Sequence, residues 1–249
     1  KGRLGPGQML SVNTATGRVF RDHELKAELA EMGDWSTWVE DAEVFMPKGH
    51  APVKPREGET LLFTQKTFGY GREHTEKILQ PMLYSGKGAV GSMGDDTPLA
   101  ALSENPQRFY RYFKQRFAQV TNPAIDPLRE RLVMSLTTRL GGGSRLLDPP
   151  GPVSPFIQLR SPVLNRKEFA GLQHLGGHQL PSFTLDATFA VEDGPTGMRT
   201  AIDRLSSEAS EHLSEGGILI LSDRNVSESR APIPMLLAAS AVHQALIRE

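Results

Sequence analysis

Residues 196–249 read TGMRTAIDRLSSEASEHLSEGGILILSDRNVSESRAPIPMLLAASAVHQALIRE, and this stretch decides the fold class. Apolar residues at helical spacing predict a helix over Thr196–Glu215. The residues expected to face inward are Met198, Ile202, Leu205 and Leu213. Gly216-Gly217 ends the helix, and Ile218–Leu221 is a continuous apolar run typical of a buried parallel strand. A second helix over Pro232–Arg248 completes a helix–strand–helix order, which predicts an α/β sheet with right-handed crossovers.

Shorter patterns extend this prediction towards the N-terminus. Residues 1–20 contain turn glycines and two short apolar runs, which predict a strand pair. A helix is predicted over Asp22–Met32, with Asp22 as its N-cap. The segments Phe156–Leu159 and Ser182–Phe189 are typical of strands. The fold class expected is α/β, a layered or incomplete (β/α) barrel-like domain with extra N-terminal helices and a short β segment.

The middle of the chain contains three further helical patterns. Pro47–Glu59 is rich in proline and charge and is expected to be a connector. Helices are predicted over Gly71–Tyr84, Pro106–Val120 and Asp126–Leu136. In the second of these, aromatic residues spaced for one buried face are Phe109, Tyr112, Phe113 and Phe117.

The composition excludes several classes of protein. The 249 residues are 38% hydrophobic and carry a net charge of −1, and this balance argues against binding of nucleic acid, which requires a basic face. The sequence contains no run of about 18 apolar residues, so no membrane helix is predicted. The first residues lack the apolar core of a signal peptide and a starting Met, so we expect an excised fragment with a cytoplasmic location.

The chain contains no cysteine. These residues therefore hold no disulfide, no cysteine nucleophile and no thiolate ligand for an iron–sulfur cluster.

A glycine-rich stretch, Gly86–Gly91, matches the pattern G-x-G-x-x-G. A dinucleotide site needs these glycines directly after a strand, so that the amides of the next helix meet the pyrophosphate. Here they follow a predicted helix and lead to Asp95 and Asp96, whose charges would repel a phosphate. Those two carboxylates fit either acid–base or metal chemistry, or capping of a helix near Pro98, and capping is favoured.

Two histidines, His174 and His178, have the spacing of metal ligands on one helix face. Gly176 and Gly177 between them disfavour a helix, and no third ligand follows at suitable spacing, so ordinary structural histidines are favoured. Asp223-Arg224 follows the apolar strand, where α/β proteins place functional groups. A functional rim and a plain salt bridge or cap remain equally compatible with this position.

Four blocks resemble glutamate synthase, in the order in which that family has them. They are KGRLGPGQML (1–10), GSMGDDTPLAALS (91–103), YFKQRFAQVTNPAIDPLRERLVMSL (112–136) and ILSDRNVSESRAPIPMLLAASAVHQALIRE (220–249). The resemblance implies an amidotransferase domain that releases ammonia from glutamine, a barrel with FMN and an iron–sulfur cluster that makes glutamate from 2-oxoglutarate, and a central domain between them without FMN. This chain resembles the end of the first domain and the central domain.

The resemblance implies a division into residues 1–20 as the tail of the amidotransferase domain, 21–60 as a helical linker and 61–249 as the central α/β domain. The expected partners are the flanking amidotransferase and FMN-binding domains of the same chain, with no nucleic acid and no membrane. We expect no cofactor, metal or catalytic residue in this fragment, and the isolated fragment is expected to be inactive.

Two loops are expected to face the neighbouring domains beside an ammonia path. They are polar and rich in glycine or proline, yet adjoin apolar helices. Their candidate residues are Ser92, Met93, Asp95, Asp96, Gln119, Thr121 and Asn122. Helix capping alone is the alternative for both loops.

Two other functions remain open from the sequence. One is a stand-alone flavin- or phosphate-binding barrel that uses the loop Gly86–Gly94 and Asp223 or Arg224. The other is a metal-dependent hydrolase built on Asp95, Asp96 and the histidines.

Overall fold

The protein is described by a computed structural model. The described residues are 2–47, 49, 56–86, 88, 98–104, 107–113, 133–141, 143, 151–175, 180–213 and 216–248. The chain divides into two compact units, one formed by residues 1–51 and 126–249 and the other by residues 52–125.

A parallel strand pair forms the centre of the first unit. Strands β5 (Ser182–Asp186) and β7 (Ile218–Ser222) run parallel, and Asp186 is in register with Ser222. Helix α6 (Gly194–Leu213) connects them along the chain, and helix α7 (Met235–Arg248) follows β7. The predicted helix–strand–helix order is therefore confirmed. The buried residues of this first core are Leu185, Ala187, Ala201, Leu205, Ala209, Ile233, Ala238 and Val242.

A second core lies under an antiparallel strand pair in the same unit. Strand β3 (Thr138–Gly141) pairs with β4 (Phe156–Leu159). Helix α5 (Arg166–Gln173) begins with a capping box, in which the Asn165 side chain accepts hydrogen bonds from two amides of the first turn. The buried residues of this second core are Ile157, Leu159, Leu172, Leu175, Leu180, Ile218 and Ile220.

The last helix starts three residues later than predicted. Pro232 belongs to strand β8 (Arg230–Pro232), which pairs antiparallel with β6 (Thr188–Ala190). The amide of Ile233 then donates to the carbonyl of Ala187 at 2.9 Å. Pairing with a distant strand thus overrides the helical pattern at these residues.

The N-terminal elements are confirmed, with one correction at the helix cap. Strands β1 (Ser11–Asn13) and β2 (Arg18–Phe20) form an antiparallel hairpin, followed by α1 (Asp22–Glu31) and α2 (Trp35–Ala42). The N-cap of α1 is Arg21, so the prediction of Asp22 was wrong by one residue. The carboxylate of Asp22 instead accepts hydrogen bonds from the Met9 amide and the Lys26 ammonium, both at 3.0 Å.

The second unit differs from its prediction in three places. Helix α3 (Gly58–Thr67) begins inside the expected connector. The helix predicted over Gly71–Tyr84 is confirmed in extent, since residues 72–85 are helical, but it contains a π-helical stretch, His74–Leu79, before α4 (Gln80–Ser85). Short 3₁₀ turns lie at Ala100–Leu102 and Phe109–Phe113.

The aromatic residues predicted to share a buried face in the helix at Pro106 differ in burial where the structure describes them: Phe109 is half-buried, whereas the next two are exposed. Tyr112 is 53% exposed and Phe113 is 65% exposed. The local aromatic spacing resembles a buried helical stripe, but within this unit no described core covers it. Residues 114–132, which include the first seven residues of the helix predicted over Asp126–Leu136, lie outside the described residues.

Within the described ranges the strands form four two-stranded sheets, one parallel and three antiparallel. A mixed α/β fold is therefore confirmed, and these sheets do not close into a barrel.

Candidate functional site

Asp186 ends strand β5 and forms the centre of a polar cluster. Its carboxylate accepts hydrogen bonds from the Thr188 amide at 3.0 Å and from the Thr188 hydroxyl at 2.8 Å. The Asn225 side-chain amide donates to it at 3.2 Å, and the Arg230 guanidinium donates at 3.1 Å. The carboxylate thus joins the end of β5 to the connection that follows β7.

The pKa of Asp186 is lowered by these contacts. Partial burial of the carboxylate raises its pKa, but hydrogen bonds from Thr188 and Asn225 and the charge of Arg230 together outweigh that effect. The group therefore stays ionised at a lower pH than an ordinary aspartate.

Two arginines complete the cluster. Arg230 also donates through Nε to the Thr188 hydroxyl at 2.8 Å. Arg204, from the middle of α6, donates to the Asp186 carbonyl at 2.7 Å and pairs with Glu208 at 3.1 Å. We call Asp186, Thr188, Arg204, Asn225 and Arg230 the polar cluster. It borders a cavity of about 460 Å³ beside the first turns of α6.

The charges of this cluster are balanced from within. Arg230 is paired with Asp186 and Arg204 with Glu208, and Asp193 adds a further carboxylate to the cavity wall. A phosphate would meet guanidinium groups that are already neutralised, so the arrangement does not fit an anion site. It fits a closed network that holds two strand ends together.

The predicted rim pair, Asp223 and Arg224, lies beside this network. The guanidinium of Arg224 lies 4.6 Å from the ring centre of Phe169. The Asp223 carbonyl accepts from the Val226 amide at 3.3 Å and so closes a turn. Asp186 and Arg230 form an ion pair at this edge of the sheet.

Sequence reasoning missed the polar cluster, although part of its signal was present. Asp186 comes directly after Leu185 of β5, whereas Asp223 is separated from the apolar run of β7 by Ser222. Its partner Arg230 lies 44 residues away, a distance that no local pattern spans.

The loop residues predicted to face other domains lie outside the described residues. This holds for Ser92, Met93, Asp95, Asp96, Gln119, Thr121 and Asn122, so their role stays a prediction. Of the glycine-rich stretch, Gly86 is described: it caps the C-terminus of α4 with φ of 64°. The stretch thus follows a helix, whereas the glycines of a dinucleotide site directly follow a strand.

The histidine pair is described in part. The Nδ1 atom of His174 lies 2.6 Å from the Ala170 carbonyl, one turn earlier in the chain, and His178 lies outside the described residues. No group of three metal-binding side chains occurs in the part of the chain that the structure describes. In the same part, no helix has the length and apolar character needed to cross a bilayer.

The fold and the cluster together define an α/β module whose strand-end polar groups are engaged with one another. Residues 63–249 match the family model "Glutamate synthase central domain". The chain belongs to that family. Residues 1–38 match the model "Glutamine amidotransferases class-II".

Long relatives match along the whole of this chain. The NADPH glutamate synthase large chain of Azospirillum brasilense is 41% identical over 254 residues, which cover 100% of this chain and 17% of the relative. The chloroplastic ferredoxin-dependent glutamate synthase 2 of Arabidopsis thaliana is 42% identical, with 15% of it covered. The NADPH glutamate synthase large chain of Bacillus subtilis is 40% identical, with 16% covered. The chain thus spans about a sixth of the length of these relatives.

Proposed function

We propose that this chain is the non-catalytic central region of a glutamate synthase large chain. It links a glutaminase domain to an FMN-binding synthase domain and helps to form the path along which ammonia passes between them. The observation that carries this proposal is the match of two family models in succession, an amidotransferase at residues 1–38 and a central domain at 63–249.

The polar cluster supports a structural role for this region rather than a catalytic or ligand-binding one. Its arginines are held by carboxylates of the same unit, so they are not available to a phosphate or a substrate anion. This also argues against the alternative of a flavin- or phosphate-binding barrel that uses the strand ends.

The other parts of the proposal concern the whole protein. A barrel-like arrangement would involve strands beyond the described sheets. FMN and the iron–sulfur cluster are proposed to bind elsewhere in the large chain, as the cysteine-free sequence requires for a thiolate-held cluster. The proposed partners are the flanking domains of the same polypeptide, in the cytoplasm.

Ammonia transfer requires a passage that excludes water and leaves a narrow bore. The loops with Ser92 and Thr121 combine small and hydrogen-bonding side chains, which suit such a wall. Bulky residues there are expected to obstruct it.

The test uses the full-length large chain with Ser92→Phe or Thr121→Phe. We expect glutamine hydrolysis to continue while formation of glutamate from 2-oxoglutarate falls, so that free ammonia accumulates. Ser92→Ala, which removes a hydroxyl, and Thr121→Ser, which removes a methyl group, are the matched controls, since neither adds bulk. Tight coupling in both phenylalanine variants would contradict the ammonia path.

A further inference from the structure

The segment between the two family matches is docked against strand β4. Residues 43–47 and Gly49 form what we call the strap. Glu43 makes a parallel bridge with Phe156, the first residue of β4, and the Val44 amide donates to the Phe156 carbonyl at 2.8 Å. The strap therefore extends the β3–β4 sheet at its edge.

The side chains of the strap alternate as in a strand with one buried face. Ala42, just before it, is 3% exposed, and Val44 and Met46 pack against the second core. Phe45, between them, is 83% exposed. Alternation of this kind fixes the register of the strap, because a shift by one residue would bury the wrong set of side chains.

Two glycines allow the strap to approach helix α5 at backbone distance. A Cβ added to the buried Gly171 would overlap the carbonyl oxygen of Pro47. A Cβ added to Gly49 would lie 2.6 Å from the Lys167 carbonyl oxygen and from the Ala170 carbonyl carbon. Neither position leaves room for a side chain, so the contact depends on glycine at both.

The position of the strap in the chain gives this contact a function. The amidotransferase match ends at residue 38 and the central-domain match begins at residue 63. The strap is the described part of the interval that touches the α/β core. A flexible linker would need no backbone contact and no pair of facing glycines.

We propose that the strap is a clamp that fixes the amidotransferase domain on the central domain through the edge of β4 and the Gly171 face of α5. The identity of the clamped partner rests on the proposed function. The clamp itself rests on the contacts of Val44, Met46, Gly49 and Gly171.

The contact of the strap with β4 and α5 is tested by hydrogen exchange in the full-length large chain. Alanine at a helical glycine ordinarily strengthens a helix. In Gly171→Ala, however, the new methyl group displaces the strap, so exchange at the Val44 amide is expected to rise by about tenfold or more. Arg166→Ala, an exposed change in the same helix, is the control and is expected to leave that amide protected.

A second variant acts from the opposite side of the contact. Gly49→Ala leaves α5 intact and is expected to raise exchange at the same amide. If neither alanine changes exchange at Val44, or if this amide is unprotected in the parent chain, the strap is not docked and the inference is wrong.

The role of the strap in coupling is tested on the same variants by the ratio of glutamine hydrolysed to 2-oxoglutarate converted into glutamate, because hydrolysis by itself also releases one glutamate per glutamine. We expect this ratio to rise several-fold while glutaminase turnover stays near that of the parent. Release of the strap with the ratio unchanged would overturn the clamp's role while leaving the Ser92 and Thr121 experiments unaffected. The two proposals can therefore fail separately.

Discussion

At the scale of single residues, Asp186 has the most partners in the polar cluster. It accepts hydrogen bonds from Thr188, Asn225 and Arg230, which lie on β6, on the connection after β7 and on β8. Removal of the carboxylate leaves several donors without their acceptor, which costs more than the loss of one isolated hydrogen bond. The stability of this strand end therefore depends on a single side chain.

We expect Asp186→Ala to lower the free energy of unfolding by about 1–2 kcal/mol, a value reduced by the partial exposure of Arg230. Urea denaturation measures it. Asp203→Ala is the control, since the 3.8 Å contact of Asp203 with Arg199 is largely exposed, and it is expected to change stability by less than about 0.5 kcal/mol. Equal effects of the two variants would show that the polar cluster is not a stabilising network.

The lowered pKa of Asp186 predicts a dependence on pH. A carboxyl group whose pKa is lower in the folded state contributes stability above its ordinary pKa and loses it as the pH falls through the folded pKa. The stability difference between the parent and Asp186→Asn should therefore be constant near neutral pH and shrink below about pH 4. Denaturation at a series of pH values tests this, and a difference that grows towards acid would contradict it.

The residues at this edge of the sheet also show which contacts the sequence does not predict. Asp223 and Arg224 stood out because they come just after the apolar run Ile218–Leu221, with only Ser222 between. The ion pair at this rim uses Asp186 and Arg230, which come together only when β5 and β8 are in place. Local spacing identifies the edge of the sheet, and tertiary pairing decides which charges meet there.

At the scale of elements, helix α6 is the centre of the first core. Leu205 is fully buried among residues of β5 and α7, whereas Leu236 of α7 is 48% exposed. We expect Leu205→Ala to cost about 2–5 kcal/mol, because truncation leaves a cavity that the packed core does not fill. Leu236→Ala is expected to cost less than about 1 kcal/mol. Similar losses in urea denaturation would show that α6 does not pack as described.

Helices and strands could be predicted from the sequence where the residues that define them are close together in the chain. Helix α6 and strand β7 were predicted within two residues at each end, because their apolar patterns and Gly216 are all local. Pro232 was assigned to a helix and lies in β8, since its pairing partner Thr188 is far away in sequence. The 3₁₀ turn at Phe109–Phe113 has helical spacing but leaves Tyr112 and Phe113 exposed, so periodicity did not indicate burial there.

At the scale of the whole molecule, the chain exposes apolar surface that a larger protein would cover. On the hairpin, Val12 pairs directly with Val19, and Leu10 lies on the same face two residues before Val12. Each of these side chains is more than half exposed. Such a one-sided apolar ribbon is typical of a surface that meets another domain.

The isolated 249-residue chain is therefore expected to self-associate. Val12→Lys should shift it towards monomer in sedimentation experiments, because it places a charge on the apolar face. Ser11→Lys, on the opposite face of the same strand, is the control and should leave association unchanged. A parent chain that stays monomeric at high concentration would contradict a covering role for the hairpin surface.

The proposed ammonia path is tested most directly by following the amide nitrogen of glutamine through the full-length large chain. With ¹⁵N-amide glutamine and an excess of unlabelled ammonium, a closed path predicts that nearly all nitrogen newly added to 2-oxoglutarate carries the label. In the Ser92→Phe and Thr121→Phe variants we expect the labelled fraction to fall. Retention of the full label in both variants, or dilution of the label in the parent enzyme, would contradict a closed ammonia path beside these loops.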